Sequence, residues 1–428
     1  MPNKIDSFHK NILIVFAGAS LANFFNLLYQ LLIAHKLSAA DFAAFNSLLA
    51  IFTVITSPLG TVQMAVTKYS AEFNARNQIN KLKFLLSGLF KAASILAIVI
   101  LLVFCFFSTQ ITNSLKIPSV SAGYILAILL ALTCLTQVFA GGVQGLELFK
   151  WLASGSIIAG VLKLVFGFIF ISLGYNIAGA LGALLVSSFI GLVIYYFPLR
   201  QYIRLNTAGP ITGTPEQVTA SGGINYKEMF VYLFPVAAAY FCFSNLVNSD
   251  MVQVKYFFNP QDSGFYSLAQ MLGKIFLFLP AAISLVMFPK TCGLNAKNMD
   301  TRVILKKSML YVLGLCILSV LFYNIFPSFV LKVLTGKAYP ESILLGRLFS
   351  ISMSFFALLY VLIMYFLSVK DLRFIKYLAS FTILQFLAVA FFHKNLIQVQ
   401  LVLCVNAVLL FCIHLILANF TPSLREEA

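Results

Sequence analysis

Residues 86–107 run through twenty-two positions with a single charge, Lys91, and blocks of this kind recur along the whole chain. A helix needs about 20 mainly apolar residues to cross the hydrocarbon core of a bilayer. Only helices and closed barrels satisfy their backbone groups there, and continuous apolar blocks are the helical signature. Of 428 residues, 61% are hydrophobic and 10% charged, against about 25% charged in a soluble domain. A water-soluble fold is excluded. The expected fold is an all-α polytopic membrane protein of about twelve spans, at 12–34, 42–66, 86–107, 123–142, 154–173, 177–198, 229–249, 264–288, 309–327, 347–368, 374–392 and 397–419.

Lys and Arg set the orientation, because cytoplasmic loops retain them. With these spans, and with Arg347 and Lys376 at span edges counted with the adjoining connections, nineteen lie on the side of the two termini, against seven on the other, and Lys91, Lys163 and Lys274 fall deeper within spans. The basic side should face the cytoplasm, with both termini inside, as an even number of spans requires. This places a multi-pass protein in the inner (cytoplasmic) cell membrane. The formal charge of +16 therefore reflects topology; it forms no continuous basic face, so nucleic acid is not an expected partner. The seven cysteines lie mostly within apolar blocks without CxxC pairing and read as small buried hydrophobes. Residues 1–10 are polar, and the block behind them is too long for a signal-peptide core, so the first span is expected to stay as an anchor.

The longest polar connection, "RLNTAGPITGTPEQVTASGGIN" at 204–225, is rich in Gly, Pro, Ser and Thr and reads as a flexible linker. It separates six spans from six, giving lobes at 1–203 and 228–428 around a cytoplasmic linker at 204–227. At an offset of 220 residues "FAAFNSLLAIF" (42–52) falls on "DSGFYSLAQML" (262–272), matching Phe45/Phe265, Ser47/Ser267 and Leu48/Leu268. Three identities are few. Together with the matched topology they point to two lobes repeated in one orientation, with a site between them.

Catalytic signatures are missing. There is no phosphate-cradling GxxxxGK[ST] loop, no HExxH and no GxSxG, and the four histidines are scattered. None of the thirteen acidic residues falls at the middle of a span. The chain is expected to move something rather than react with it, so it is not read as an enzyme and no cofactor or metal is expected.

What remains informative is the polar content of the spans. A Lys at a helix centre costs on the order of 3 kcal/mol to insert, and Lys163 and Lys274 both lie near mid-span. Lys91 sits closer to a span end, where its ammonium can snorkel. Tyr266, Gln270 and Lys274 recur every four residues and share a helix face. Comparable stripes are Asn23, Asn26 and Gln30; Thr133, Gln137, Gly141 and Gln144; and Tyr240, Ser244 and Asn248. Each single amide could serve as an interhelical hydrogen bond; four stripes favour a wet cavity. Asp250, at the outer end of the seventh span, is a gate or coupling candidate. Pro58, Pro235 and Pro280 lie within spans and permit bending. Trp151 and Tyr195–Tyr196 fit an interfacial aromatic belt.

Two passages carry a family resemblance. "LLYQLLIAHKLSAADFAAFNSLLAIFTVITSPLG" and "NSDMVQVKYFFNPQDSGFYSLAQMLGK", the latter with Asp250, Gly264, Tyr266 and Ala269, resemble the polysaccharide transporter (Wzx-like oligosaccharide flippase) family. That family belongs to the multidrug/oligosaccharidyl-lipid/polysaccharide exporter (MOP) superfamily. The resemblance implies a MATE-like fold of two six-helix lobes that alternate access to a central cavity, for surface polysaccharide biosynthesis. The substrate it implies is an isoprenoid-diphosphate-linked oligosaccharide, carried from the cytoplasmic to the outer leaflet. It further implies the bilayer, a polysaccharide polymerase and chain-length proteins as partners. The cavity set is then Lys163, Lys274, Gln270, Tyr266, Gln137, Gln144, Asn26, Gln30, Tyr240 and Asn248. Lys163 is placed by position alone, since no motif carries it over. The competing reading is a secondary exporter of drugs or other small solutes, like the multidrug and toxin extrusion antiporters; these usually carry an acidic site in the first lobe, and no acid stands at mid-span here.

The topology gives a direct expectation. In a cysteine-free background, Thr214→Cys should react with a membrane-impermeant maleimide only in inverted vesicles, and Ala338→Cys only in intact cells. The opposite pattern would reverse the orientation.

Overall fold

A computed structural model describes residues 4–203, 226–297 and 299–419, and the expected linker at 204–225 lies outside the described residues. Every regular element described is a helix. The first half contains α1 (Lys4–Lys36), α2 (Ala39–Thr56), α3 (Leu59–Ala75), α4 (Ile79–Ser114), α5 (Val120–Gly145), α6 (Phe149–Ser172) and α7 (Asn176–Ile203). The second contains α8 (Tyr226–Phe257), α9 (Pro260–Ala296), α10 (Arg302–Ile325), α11 (Pro327–Thr335), α12 (Pro340–Ser368), α13 (Phe374–Phe391) and α14 (Leu396–Asn419).

Among the described residues ten helices are long and apolar enough to cross a membrane: α1, α2, α4 to α7, α10 and α12 to α14. The other two long helices, α8 with 32 residues and α9 with 37, coincide with the remaining expected spans and carry two of the four polar stripes. One expected span divides. Residues 42–66 form α2 and α3, which break at Pro58 because its ring and missing N–H cannot continue the ladder. Pro235 stays inside an unbroken α8. The nine-residue α11, between two long helices, was not expected; it ends at Gly336, which holds φ at +71°, where a side chain would be strained.

Local chemistry sets the helix starts. Asn259 caps α9 by accepting from the Asp262 N–H at 2.8 Å, with Pro260 at the first helical position. Ser38 accepts from the Asp41 N–H at 3.1 Å and donates to its carboxylate at 2.8 Å, fixing the start of α2. Large side chains such as Ile95, Leu102 and Phe106 on α4 and Leu310 and Leu318 on α10 stand exposed. Water would disfavour such faces and lipid accepts them. All seven cysteines are free. Tyr195 departs from the aromatic-belt expectation: it is buried, with its hydroxyl 3.0 Å from that of Ser156, whereas Trp151 and Tyr196 are exposed.

The chain forms two compact units. One comprises Met1–Leu32, Ile55–Thr112 and Ser119–Ala237; the other comprises Ile33–Val54, Asn113–Pro118 and Ala238–Ala428. In the first, Val66, Leu85, Leu86, Phe139, Val143 and Leu199 form a core. Here α5 crosses α3 on two glycines four residues apart. A Cβ on Gly141 would stand 2.8 Å from the Gln63 carbonyl, and one on Gly145 would stand 2.6 Å from that of Thr67. Such small-residue contacts let backbones approach where no hydrophobic effect drives association.

In the second unit Ala43 and Ala50 of α2 join a core with Leu246, Met251, Phe349 and Leu403. Asn46 donates to Ser267 at 2.8 Å and Ser244 to the Thr53 carbonyl at 3.3 Å. Lysines secure the corners. The Lys116 ammonium donates to the Phe258 carbonyl at 2.8 Å, and that of Lys337 to the carbonyls of Ala34, at 3.3 Å, and Leu37. Each thereby satisfies orphan carbonyls at a helix C-terminus, where a cation is favoured. Desolvation at this partly covered corner lowers the ammonium pKa of Lys337.

Gly145→Leu should overpack the α3–α5 crossing, at a cost of about 1–3 kcal/mol. A thermal melt of the detergent-solubilised protein should show a lower midpoint than wild type. An unchanged midpoint would mean the two helices are not held by that contact.

Candidate functional site

The first unit contains a cavity of about 390 Å³ lined from three helices. α1 contributes Asn23 and Asn26, α6 contributes Ser156, Gly160 and Lys163, and α7 contributes Ser187 and Ser188. On α6 these three residues are four and then three positions apart, so they share one face. Gly160 lets α1 come close: a Cβ there would stand 3.0 Å from that of Phe25. The Lys163 ammonium donates to Asn26 Oδ1 and lies 5.1 Å from the centre of the Tyr29 ring. That ring is fixed by burial and by its hydroxyl, which donates to the Ala180 carbonyl at 2.7 Å. A cation over an aromatic face is attracted to its quadrupole. No Asp or Glu lines the cavity. It presents one positive charge, hydroxyls and amides, which is the chemistry of an anion or polyol site.

The second unit holds a polar web. Asp250 of α8 has no exposed surface, and its carboxylate accepts from the Tyr266 hydroxyl at 2.8 Å and from the Gln270 amide at 3.0 Å. Tyr266 also reaches Gln400 Oε1 on α14 at 3.3 Å, and the Gln400 amide donates to Ser352 of α12 at 2.7 Å. Lys274, one turn beyond Gln270, is half-buried and within electrostatic reach of Asp250. Beside this web, Gln385 of α13 donates to the Leu246 carbonyl and accepts from Asn406 of α14, at 2.8 and 2.9 Å. The web answers the cost of burying a carboxylate, which stays charged only when its lone pairs and charge are matched.

The residues expected from the sequence therefore fall into groups. Asn26 and Lys163 meet in the first cavity. Tyr266, Gln270, Lys274 and Asp250 meet in the second unit. Gln137 and Gln144 stand half-buried on α5, where Gln144 Oε1 accepts from Gln63 at 3.1 Å and Thr67 at 3.3 Å. Tyr240 packs in the second core with its hydroxyl on Met364, and Asn248 is spent on its own helix, donating to the Ser244 carbonyl at 2.8 Å. Gln30 is half-buried and does not line the cavity. The serines at 156, 187 and 188, and Gln385, Gln400 and Asn406, were not singled out from the sequence. For Ser156 the signal was present in its helical spacing from Lys163. Among the described residues no three His, Cys, Asp or Glu side chains are placed to hold a metal ion.

A family model described as polysaccharide biosynthesis protein matches residues 8–291. No curated protein matches the chain in sequence. In structure it resembles an inward-facing multidrug resistance MATE family transporter of the MOP superfamily, with TM-score 0.75, 14% identity, 95% of this chain and 96% of that one covered. It also resembles the lipid II flippase MurJ in an inward closed conformation, with TM-score 0.72, 12% identity and 96% and 88% covered. A MOP superfamily transporter from Pyrococcus furiosus, described as having a binding pocket of reverse polarity, gives TM-score 0.61, 14% identity and 96% and 94% covered. At these identities the likeness shows the fold.

Asp250→Ala strands the Tyr266 hydroxyl, the Gln270 amide and the Lys274 ammonium, and should destabilise the protein by about 3 kcal/mol or more. Asp250→Asn keeps an acceptor and should cost less. Thermal melts of both variants check the order; equal, small losses would show that the web carries no stability.

Proposed function

The chain belongs to the polysaccharide biosynthesis protein family and has the fold of MOP superfamily transporters; from that premise we propose that it is a flippase for an isoprenoid-diphosphate-linked oligosaccharide. It carries this lipid from the cytoplasmic to the outer leaflet by alternating access, for surface polysaccharide biosynthesis. The observation that supports this reading best is the acid-free cavity, where Lys163 stands among Asn23, Asn26 and three serines. A diphosphate must leave water to cross the bilayer, and an ammonium in a region of low dielectric offsets part of that loss. The hydroxyls and amides suit sugar hydroxyls. A carrier of cationic drugs would need the opposite charge in the same place.

In this reading residues 1–203 and 228–428 are the two lobes, with segments 33–54 and 113–118 of the first grouped in the second unit and 228–237 of the second grouped in the first. The linker at 204–227 and both termini are cytoplasmic, and the protein resides in the cytoplasmic membrane. Lys163 binds the diphosphate in the first lobe and Lys274 in the second, while Asp250 couples or gates. A polysaccharide polymerase and chain-length proteins act on the delivered product.

A charge-assisted hydrogen bond contributes roughly 1.5–3 kcal/mol, so Lys163→Ala should slow translocation about 10- to 100-fold at one tenfold per 1.4 kcal/mol. Lys163→Arg should restore part of the rate, since a mobile diphosphate needs charge more than shape. The assay is the leaflet distribution of lipid-linked oligosaccharide in membranes of cells lacking the protein and complemented with each variant. Retention of these lipids on the inner leaflet with the Lys163→Ala/Lys274→Ala variant supports the reading. Normal distribution with that variant, or efflux of cationic dyes from proteoliposomes, would replace it with small-solute export.

A further inference from the structure

Among the described side chains Asp250 is the one buried carboxylate. Its hydrogen-bond donors, the Tyr266 hydroxyl and the Gln270 amide, are neutral groups. They orient the carboxylate without balancing its charge. The cation that acts on it is Lys274, on the same face of α9 and one turn past Gln270, through space and without an ion-pair contact. The titratable groups around Asp250 are Tyr266 and Lys274 from α9, with Cys404 of α14 acting on Tyr266. α12 adds the hydroxyl of Ser352, through Gln400, and the edge of the Phe349 ring, 4.9 Å from that of Tyr266.

Lys274 differs from the rest of the web in two ways. It is half-buried where Asp250, Tyr266 and Gln270 are buried. Among the described residues its ammonium also has no hydrogen-bond acceptor in contact, whereas Lys163 and Lys116 each have one and Lys337 has two. Lys274 thus faces Asp250 through space and keeps its donors for another anion. A buried carboxylate that loses its counter-charge is neutralised by a proton, because an uncompensated charge in low dielectric costs more than protonation.

We infer that Lys274 serves two anions in turn, so that binding of the substrate diphosphate draws it from Asp250 and Asp250 then takes up a proton. The proton comes from hydronium of the bulk solvent: one O–H bond of hydronium breaks, one O–H bond forms on a carboxylate oxygen, and a water molecule is left behind. The protonated carboxyl still accepts from Gln270 and Tyr266, so the web keeps its shape while it changes charge. Binding and protonation reinforce each other: affinity rises as pH falls, and the substrate raises the proton affinity of Asp250 by the same factor. This rests on the diphosphate reading above for the ligand, while the pairing of Lys274 with Asp250 stands apart from it.

Two measurements on the full-length protein in detergent test the inference separately from that reading. The first is calorimetric titration with farnesyl diphosphate in buffers of different ionisation enthalpy. Wild type should take up about one proton per bound probe more than Asp250→Asn, with affinity that strengthens toward acidic pH in wild type and is flatter in the variant. Equal proton uptake in the two proteins would overturn the inference. Absence of farnesyl diphosphate binding to wild type would overturn both the exchange and the diphosphate reading.

The second is the infrared carboxyl region of the ligand-free protein near neutral pH. Lys274→Ala should show a protonated carboxyl band, shifted in heavy water, that wild type and Lys274→Ala/Asp250→Asn both lack. The same band already present in wild type, or missing from Lys274→Ala, would show that Lys274 does not hold the charge of Asp250.

Discussion

A polar group shut away from water has only the protein to satisfy it, and the buried carboxylate of Asp250 shows how far the chain goes to meet that requirement. Four helices converge on it. Tyr266 and Gln270 from α9 give it hydrogen bonds, Gln400 of α14 holds Tyr266, and Ser352 of α12 holds Gln400. The packing order of the second unit is thereby tied to one charge. Exchanging any of these helices for an equally apolar neighbour would leave a donor or acceptor stranded, at a cost of about 1–3 kcal/mol for each group.

The first unit meets the same requirement by different means. One of its helix crossings is built on Gly141 and Gly145, with backbone in near contact with backbone. Its lysine is served by Asn26 and the face of Tyr29 instead of a carboxylate. One unit therefore presents a cation to a cavity, and the other holds a cation beside a buried acid. The two units thus answer the same physical requirement with unlike polar chemistry.

Much of this was legible in the sequence, for reasons that differ from residue to residue. Ten of the twelve expected spans were plain because hydrocarbon thickness imposes a length that composition reveals directly, while α8 and α9 carry too much polar sequence to stand out in that way. The division at Pro58 was half visible: proline marked a bend, but whether the helix kinks, as α8 tolerates at Pro235, or ends, as α2 does, depends on packing. The Tyr266, Gln270 and Lys274 stripe was readable from its period of four, and so was its avoidance of lipid. What it faces was not: the partners Asp250 and Gln400 are 16 and 134 residues from Tyr266 in sequence, and only the folded arrangement brings them together. The short polar side chains Ser156, Ser187 and Ser188 escaped because serine within a span is usually spent on its own backbone. That is how Ser187 spends its hydroxyl, donating to the Leu184 carbonyl at 3.0 Å even as it lines the cavity.

The corner lysines carry a consequence for how this protein drifts in sequence. Lys116 and Lys337 grip main-chain carbonyls of Phe258, Ala34 and Leu37, and a carbonyl is the same whatever side chain its residue bears. An acid–base pair can be lost on one side and regained on the other, or swapped end for end. These contacts admit neither course. Positions 34, 37 and 258 are free to vary as far as packing allows without weakening the grip, while loss of either lysine has no remedy at the residue it holds. Among related chains, such joints should appear as solitary fixed cations facing variable partners, and methods that look for correlated change between positions will pass over them.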